Sequence, residues 1–494
     1  MALTGRIVLT ADRTLMSNYH GNEFIGFGST APPNIVPDLL FKALFFPPIK
    51  TRDGIPVEVP YGLRKIEAQL MEEGLDVLTV DPDHLNRYIG EAKVLGVHVM
   101  DPFGLGPASS TFARILKSGE PYLAKHFRLL LEKPEVRVAK KRGLRIIVGG
   151  PGAWQFKYKL EFLNDYNIDC VVSGEAEKVV GKLFRMALED KELPRFYDVS
   201  VKDVPSVDEI PEIKNPSING LIEIGRGCCR GCQFCDVTLR PLRWYPYEKI
   251  VKELKVNVNA NIRQGILHAE DVLLYGSKNT IPNRERVLKL HEISKKFLNK
   301  VAWSHTSMAA VATDPKLVEE VSEILVDGNQ EWWGAEIGIE TGSPNLIKKV
   351  MPAKVHPFSP EEWPEVVKTA AGIMTDNNLV PACTLITGLP QETEDDVIKS
   401  IELIEDLKGF KSLIVPLFFV PLGRLKDRDW FTFEQMSALH KELLIKCLKH
   451  DLYWARRIMR SYLIGEWYGP LLSPVYKFFT WLVERKARAE AILD

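Results

Sequence analysis

Cys228, Cys232 and Cys235 fall within the run Gly225-Arg-Gly-Cys-Cys-Arg-Gly-Cys-Gln-Phe-Cys-Asp236, and no other stretch restricts the chain's chemistry as much. Three thiolates so close together call for a metal. An iron–sulfur cube usually takes four cysteine ligands, and this run supplies three at C-x3-C-x2-C with no fourth cysteine just downstream. One iron would stay open to a substrate. Structural zinc wants four ligands, usually as two separated Cys/His pairs, and the second pair is missing. A ferredoxin arrangement is disfavoured because Leu239 stands where its fourth cysteine would, and no Cys-Pro follows. Adjacent Cys229 leaves a second register open, Cys229-x2-Cys232-x2-Cys235.

Metal chemistry of this kind sits in a large, evenly charged chain. Its 494 residues suggest two to four domains. Lys and Arg number 64 against 65 Asp and Glu, so no overall field recruits nucleic acid or an acidic membrane. The first ten residues lack the apolar core and cleavage site of a signal peptide and read as a strand. The longest apolar run, around Leu413 to Leu422, is broken by Pro416 and Pro421 and is too short to cross a bilayer. Seven cysteines in such a length make no disulfide framework, and a reducing, cytoplasmic setting is expected.

Residues 1–200 alternate strand-like and helix-like segments. The pattern predicts strands at Arg6–Thr10, Asp76–Val80, Val94–Met100, Leu144–Val148 and Cys170–Val172, with helices such as Tyr61–Glu73 and Lys178–Glu189. That alternation argues for a Rossmann-like α/β domain with a parallel sheet, whose ligands sit at the carboxyl ends of strands. The loops there are glycine- and hydroxyl-rich: Asp101–Thr111 with Gly104, Ser109 and Ser110, then Gly149-Gly150-Pro151, then Ser173-Gly174-Glu175. Any one of them is as readily a tight turn as a ligand loop.

Residues 199–215, rich in proline and charge, read as the linker to a second domain at 216–425. There the predicted helices are Pro246–Asn257, Asn283–Phe297, Pro315–Ile324, Pro360–Asn377 and Glu394–Leu407, and the strands Gly265–Leu267, Val301–Trp303, Trp333–Ile339, Val380–Ile386 and Leu413–Val420, after an opening strand at Gly220–Ile224. Six β-then-α repeats point to a partial (β/α)6 barrel of the TIM type with its chemistry at the strands' carboxyl ends. Polar clusters fall there: His268-Ala-Glu270-Asp271, Ser304-His305-Thr306, and Glu336 with Glu340, which strand alternation puts on one face. An inward carboxylate must be hydrogen-bonded or paired, by a ribose diol, an amino group, or a nearby Arg or Lys. Residues 426–494 read as a small helical region dense in aromatic residues, from Trp430 to Trp481, with Lys477, Arg485, Lys486 and Arg488 near the end. Packing against the preceding domain accounts for such density more readily than a substrate wall or a lipid-docking surface.

Phe234, the aromatic residue before the last cysteine, completes the resemblance of C-x3-C-x2-C to the signature of the radical S-adenosylmethionine (SAM) superfamily. The resemblance implies a 4Fe–4S cluster on Cys228, Cys232 and Cys235, with SAM on the open iron. Gly338-Ile-Glu-Thr-Gly-Ser343 is similar to the family's SAM-ribose segment, and Gly388-Leu-Pro-Gln-Glu-Thr393 to its Gly-Leu-Pro-Gly-Glu-Thr segment beside the adenine. Carried over, Glu340 meets the ribose, Ile386, Gly388 and Leu389 line the adenine, and Glu270, Asp271 and Ser304 join Phe234 as further SAM candidates. The order of Gly149-Gly150-Pro151, Asp169–Glu177 and the cysteine motif resembles the cobalamin-binding subfamily, which implies cobalamin near Gly104, Ser109, Ser110, Gly149, Gly150, Pro151, Gly174 and Glu175. The Asp-x-His-x-x-Gly signature of methionine-synthase-like domains is absent; its nearest match, Asp81-Pro-Asp-His84, has the wrong spacing, and His84 reads as a surface loop residue.

The resemblance implies a radical C-methyltransferase acting on an unactivated carbon, served by a reductase, ferredoxin or flavodoxin as electron donor. The substrate stays open among a small molecule, a lipid and a peptide or protein. The alternatives are radical coupling, rearrangement or cyclisation without methyl transfer, and a non-catalytic iron–sulfur or corrinoid carrier. Methylthiotransferases are disfavoured, because their amino-terminal domain needs three cysteines and only Cys170 precedes the motif.

Overall fold

In the computed structural model the described residues are 6–33, 37–115 and 119–463, together with 477, 481, 484 and 485. Part of the aromatic tail, Trp467, Tyr468, Tyr476, Phe478 and Phe479, therefore lies outside the described residues, as do Lys486 and Arg488. The chain divides into two compact units, residues 1–224 with 243–266, and residues 225–242 with 267–494.

The first unit is a parallel sheet of β1 (Arg6–Ala11), β2 (Val77–Thr79), β3 (Ala92–His98), β4 (Arg145–Gly149), β5 (Cys170–Ser173) and β6 (Phe196–Asp198), in the order β2-β1-β3-β4-β5-β6. The period of two along β1 sends Ile7, Leu9 and Ala11 into one core, with Leu63, Leu70, Leu183 and Phe184 from the helices α1 (Tyr61–Glu72) and α4 (Glu177–Leu188). Val8 faces the opposite core, with Phe127, Leu130 and Val136 from α2 (Tyr122–Glu132) and α3 (Pro134–Lys141). A sheet covered on both faces is the Rossmann-like arrangement, and the order reverses between β1 and β3. The strand β6 was not expected; three residues give no readable alternation, and it is its parallel pairing with β5 that makes it a strand.

The end of the stretch expected as the linker, residues 199–215, is packed. Ile210 and Ile213 are buried, the Arg64 Nε donates to the Pro216 carbonyl at 2.8 Å, and the Ile213 N–H donates to Glu253 at 3.1 Å. Buried Glu253 also pairs with Lys65 and accepts the Tyr61 hydroxyl at 2.7 Å. A buried carboxylate with one cation and two further donors is fully used. It ties α5 (Tyr247–Asn259), expected as the first barrel helix, to α1 of the first unit.

From β7 (Gln264–His268) onward the barrel rhythm holds: α6 (Arg284–Phe297), β8 (Lys300–Trp303), α7 (Pro315–Leu325), β9 (Trp333–Glu340), α8 (Trp363–Asp376), β10 (Leu379–Thr387), α9 (Glu394–Asp406), β11 (Leu413–Phe418) and α10 (Ala438–Leu463). The pairs β9–β10 and β10–β11 are parallel. Backbone bonds from Ser304 N–H to the Leu267 carbonyl and from Glu336 N–H to the Ser304 carbonyl, both 2.9 Å, carry the sheet on through β8. Along β9, Trp333, Ala335, Ile337 and Ile339 are buried, while Glu336 and Gly338 lie on the half-buried face. The register slips between Gly338 and Glu340, and Glu340 takes a φ of 65°. Helix α10 belongs to the second unit: Ile414 N–H donates to Asp451 at 2.6 Å, and Ser412 and His450 are hydrogen-bonded at 2.9 Å. No helix among the described residues is long and apolar enough to cross a membrane.

Candidate functional site

The cysteine loop, residues 225–242, lies in the second unit. Cys228, Cys229 and Cys235 are half-buried and Cys232 is buried; all are free thiols. Burial pushes Cys228 up to about 12 and Cys235 to about 11, and raises Cys232 as well. Neutral thiols in such surroundings become thiolates when a cation binds them. Among the described residues no three His, Cys, Asp or Glu side chains are grouped closely enough to hold a metal ion. The remaining second-unit cysteines, Cys383 and Cys447, are core residues with 2% and 0% exposure and cannot add a fourth ligand. The donor set fits a cluster held by three thiolates.

The loop is held by its own backbone and by Arg230. The Cys235 N–H donates to the Cys232 carbonyl at 3.2 Å, and the Thr238 hydroxyl to the Cys235 carbonyl at 2.9 Å. Gly423 abuts it: its N–H donates to Asp236 at 2.7 Å, and a Cβ there would stand 2.7 to 2.9 Å from the Gln233 carbonyl oxygen and the Cys235 backbone. The Arg230 N–H approaches the Cys228 sulfur at 3.5 Å. Its buried guanidinium donates to the Lys354 carbonyl at 2.9 Å, to Ser307 at 2.7 Å and to Asp271 at 3.2 Å.

Asp271 is thereby occupied. It accepts from Thr306 at 2.9 Å and from Ser307 at 2.6 Å besides Arg230, which makes it an anchor for the cysteine loop. Glu270, beside it, is half-buried, and Ser304 is spent on the Ala269 backbone, donating to its carbonyl at 3.0 Å. Phe234 is half-buried within the cysteine loop, Ile386 half-buried on β10, and Gly388 and Leu389 follow that strand.

Glu340 is paired. Its Oε1 accepts from buried Lys354 at 3.0 Å and its Oε2 from Thr384 at 3.1 Å. The side chain folds back over Gly338, where a Cβ would stand 1.9 Å from Oε1. Burial is the largest influence and works against the Lys354 ammonium, but the charges of Glu340 and Cys232 and the hydrogen bond to Glu340 together raise Lys354. Glu336 finds a different cation: its Oε2 lies 3.2 Å from His305 Nε2, the two residues being paired between β9 and the short parallel strand His305–Thr306. Burial alone would lower His305, but the hydrogen bond and charge of Glu336, with Glu270 and Asp271 beyond, raise it to about 9. The sequence did not mark Arg230 or Lys354, although both are basic residues within or shortly after a motif.

In the first unit the expected cobalamin loops gather at the carboxyl edge of the sheet. Asp101 accepts from Gly106 N–H at 3.0 Å and from Gln155 at 2.6 Å, fixing the loop that carries Gly104. Ser110 donates to the Pro107 carbonyl at 3.1 Å, whereas the Ser109 hydroxyl is buried without a hydrogen-bond partner. A Cβ on Gly150 would stand 2.4 Å from the Val99 carbonyl and one on Gly174 2.9 Å from Val199, so the chain's own packing already calls for these glycines. Gly149 lies half-buried beside exposed Pro151, and Glu175 pairs with Arg243 at 2.6 Å. His84, expected as a surface loop residue, lies half-buried in the 3-10 turn Pro82–Arg87, with its Nδ1 3.2 Å from Asp81. From Pro107 the expected loop is the helix Pro107–Ile115, and the orphaned hydroxyl of Ser109 in its first turn is what a polar cofactor would satisfy.

Residues 222–404 match the family model of the radical SAM superfamily. A protein of Methanocaldococcus jannaschii named as a methylthiotransferase is 25% identical over 323 residues, 62% of this chain and 67% of its own length. The ribosomal protein uS12 methylthiotransferase RimO of Clostridioides difficile is 23% identical over 249 residues, 49% of this chain and 52% of its own. The chain thus spans about half to two thirds of the length of these curated relatives. Among solved structures, the radical S-adenosylmethionine methyltransferase TsrM from Kitasatospora setae, with cobalamin and a 4Fe–4S cluster bound, has a TM-score of 0.55 at 15% identity, covering 85% of this chain and 77% of that one. That last likeness is one of fold. Residues 222–404, which include the three cysteines of the C-x3-C-x2-C run, thus carry a radical SAM domain.

Proposed function

We propose that the protein is a cobalamin-dependent radical SAM enzyme that methylates an unactivated carbon. The observation that carries this reading is the union in one chain of three free thiols at open-iron spacing with a Rossmann-like unit in which the helix Pro107–Ile115, following the carboxyl-edge loop after β3, holds the unsatisfied buried hydroxyl of Ser109. TsrM, whose fold is similar, has been solved with cobalamin and a cluster, and with tryptophan and a SAM analogue. The sequence relatives are methylthiotransferases, but here only Cys170 precedes the cluster motif, and it is buried in the first unit's core. A second cluster in the first unit has no ligands, which favours methyl over methylthio transfer.

When bound, the cluster with SAM supplies a 5′-deoxyadenosyl radical and cobalamin supplies a methyl carrier. The chain's own residues bind and orient. Cys228, Cys232 and Cys235 hold the cluster, and Arg230 with Asp271 fixes the loop between them. Glu340 receives the ribose by exchanging its contact with Lys354, Gly388 and Leu389 flank the adenine beside Ile386, and Glu270 receives the methionine amino group. Gly104, Ser109, Ser110 and the loops at Gly149-Gly150-Pro151 and Gly174-Glu175 take cobalamin. An electron donor of the flavodoxin, ferredoxin or reductase class completes the system.

Anaerobic purification tests this. The protein should carry about four irons per chain, retain cobalamin with its visible absorption bands, and with SAM and a reductant yield 5′-deoxyadenosine and S-adenosylhomocysteine. A protein that holds the cluster but not cobalamin would sink methyl transfer and leave radical chemistry standing; one that never cleaves SAM would sink both.

A further inference from the structure

Strand β10 ends at Thr387, and Gly388 turns the chain into the segment beside the proposed adenine position. The turn is packed against the C-terminal part of the second unit: a Cβ on Gly388 would stand 2.0 Å from Phe431 Cγ. The Gly388 N–H donates to Glu392 Oε2 at 2.8 Å, closing the loop on itself. The same oxygen lies 3.0 Å from His440 Nε2, in the first turn of α10. On the far side of the imidazole, Nδ1 accepts the Ser437 backbone N–H at 3.1 Å and lies 2.9 Å from the Ser437 hydroxyl. A ring nitrogen that accepts a backbone N–H carries no proton itself, so the neutral imidazole must bear its hydrogen on Nε2. His440 is therefore a donor aimed at Glu392, with its tautomer set by Ser437. Phe431, 5.1 Å from the imidazole between ring centres, packs the other side of the relay. The Glu392 and His440 side chains are 9% and 14% exposed, so little water competes for these bonds.

We infer that His440 is a positioning residue for SAM, acting through Glu392 to hold the Gly388–Leu389 turn in the conformation that receives the adenine. The inference rests on the proposed SAM site and adds a part of the chain, outside the 222–404 domain, on which that site depends. Without the His440 hydrogen bond the Glu392 carboxylate is free to swing out to water, and the Gly388 N–H loses its acceptor. The loop then spends part of its time in conformations that do not bind, and apparent affinity falls by the fraction that does.

The test is the SAM dissociation constant of the reconstituted full-length protein, measured by equilibrium dialysis with labelled SAM, alongside iron content. His440→Ala should weaken SAM binding about tenfold, the factor that 1.4 kcal/mol carries, with iron per chain unchanged. His440→Gln, which can return an amide donor to the Nε2 position, should recover most of the affinity; a merely structural role for the ring would not be rescued this way. Glu392→Ala, which leaves α10 untouched, should weaken binding at least as much and keeps the inference testable if His440→Ala does not fold. SAM affinity equal to wild type in either alanine variant overturns the inference while leaving the site assignment intact. A wild-type protein that carries the cluster but binds no SAM overturns the site assignment itself, and this inference with it.

Discussion

Glu340 and Lys354 are each 9% exposed at the side chain and 3.0 Å apart, so each charge is tolerated because the other is there. Lys354→Met leaves a buried carboxylate with a single hydroxyl partner and should destabilise the second unit by about 3–5 kcal/mol; adding Glu340→Gln should restore most of it, as read from urea denaturation midpoints. His305 gives a pH dependence. Its value is raised above the ordinary imidazole range to about 9, so the stability it contributes is present in full below about pH 6.5 and is lost as pH rises through 9. The thermal midpoint should fall between pH 7 and pH 9.5, and Glu336→Gln should flatten that fall; a third of the His305 side chain is exposed, so the effect is small. At this scale the cysteines stand out by type and spacing, whereas Glu340 stands out only through the likeness of Gly338–Ser343 to the SAM-ribose segment. Lys354 was not, since only the slipped register at Gly338 brings a residue fourteen positions away against Glu340.

The elements were legible nearly to their ends, because long parallel strands and amphipathic helices impose strong periods: β9 and β10 run within one residue or so of their expected bounds. What periodicity cannot show is an irregularity within an element or a contact at its tip. Gly423 is such a contact. It sits at a φ of 59° with its α-carbon facing the backbone of Gln233 and Cys235, where a side chain has no room and an L-residue is strained. Gly423→Ala should push the cysteine loop aside: iron per chain after reconstitution should drop well below wild type, while the far-ultraviolet circular dichroism stays unchanged. Iron content equal to wild type would show that the loop yields without losing its ligand geometry.

At the level of the whole chain, the two-cofactor reading divides between the units: the cobalamin loops are in the first and the cluster cysteines in the second. The triple variant Cys228→Ala, Cys232→Ala, Cys235→Ala should therefore lose its iron yet retain the corrin absorption of bound cobalamin, whereas Cys229→Ala should lose neither. Loss of both cofactors from the triple variant would show that the first unit does not hold cobalamin by its own residues. Balanced charge and the succession of motifs made the two-part α/β plan readable from sequence. The division itself was not, because Glu253, which draws α5 into the first unit, is an unremarkable acidic residue until Lys65 and Tyr61 are seen around it.

That excursion of α5 has a practical and an evolutionary side. The chain leaves the first unit at residue 224, returns at 243 and leaves again at 266. No single cut separates the two units into intact pieces: a fragment ending at 224 would lack the helix that covers Lys65, and one beginning at 225 would carry that helix with nothing to bury it. A protease nicking the Pro-rich segment before residue 216 would leave two halves still held together, and recombination that exchanges the first unit between related chains would need two crossovers, one on either side of the cysteine loop.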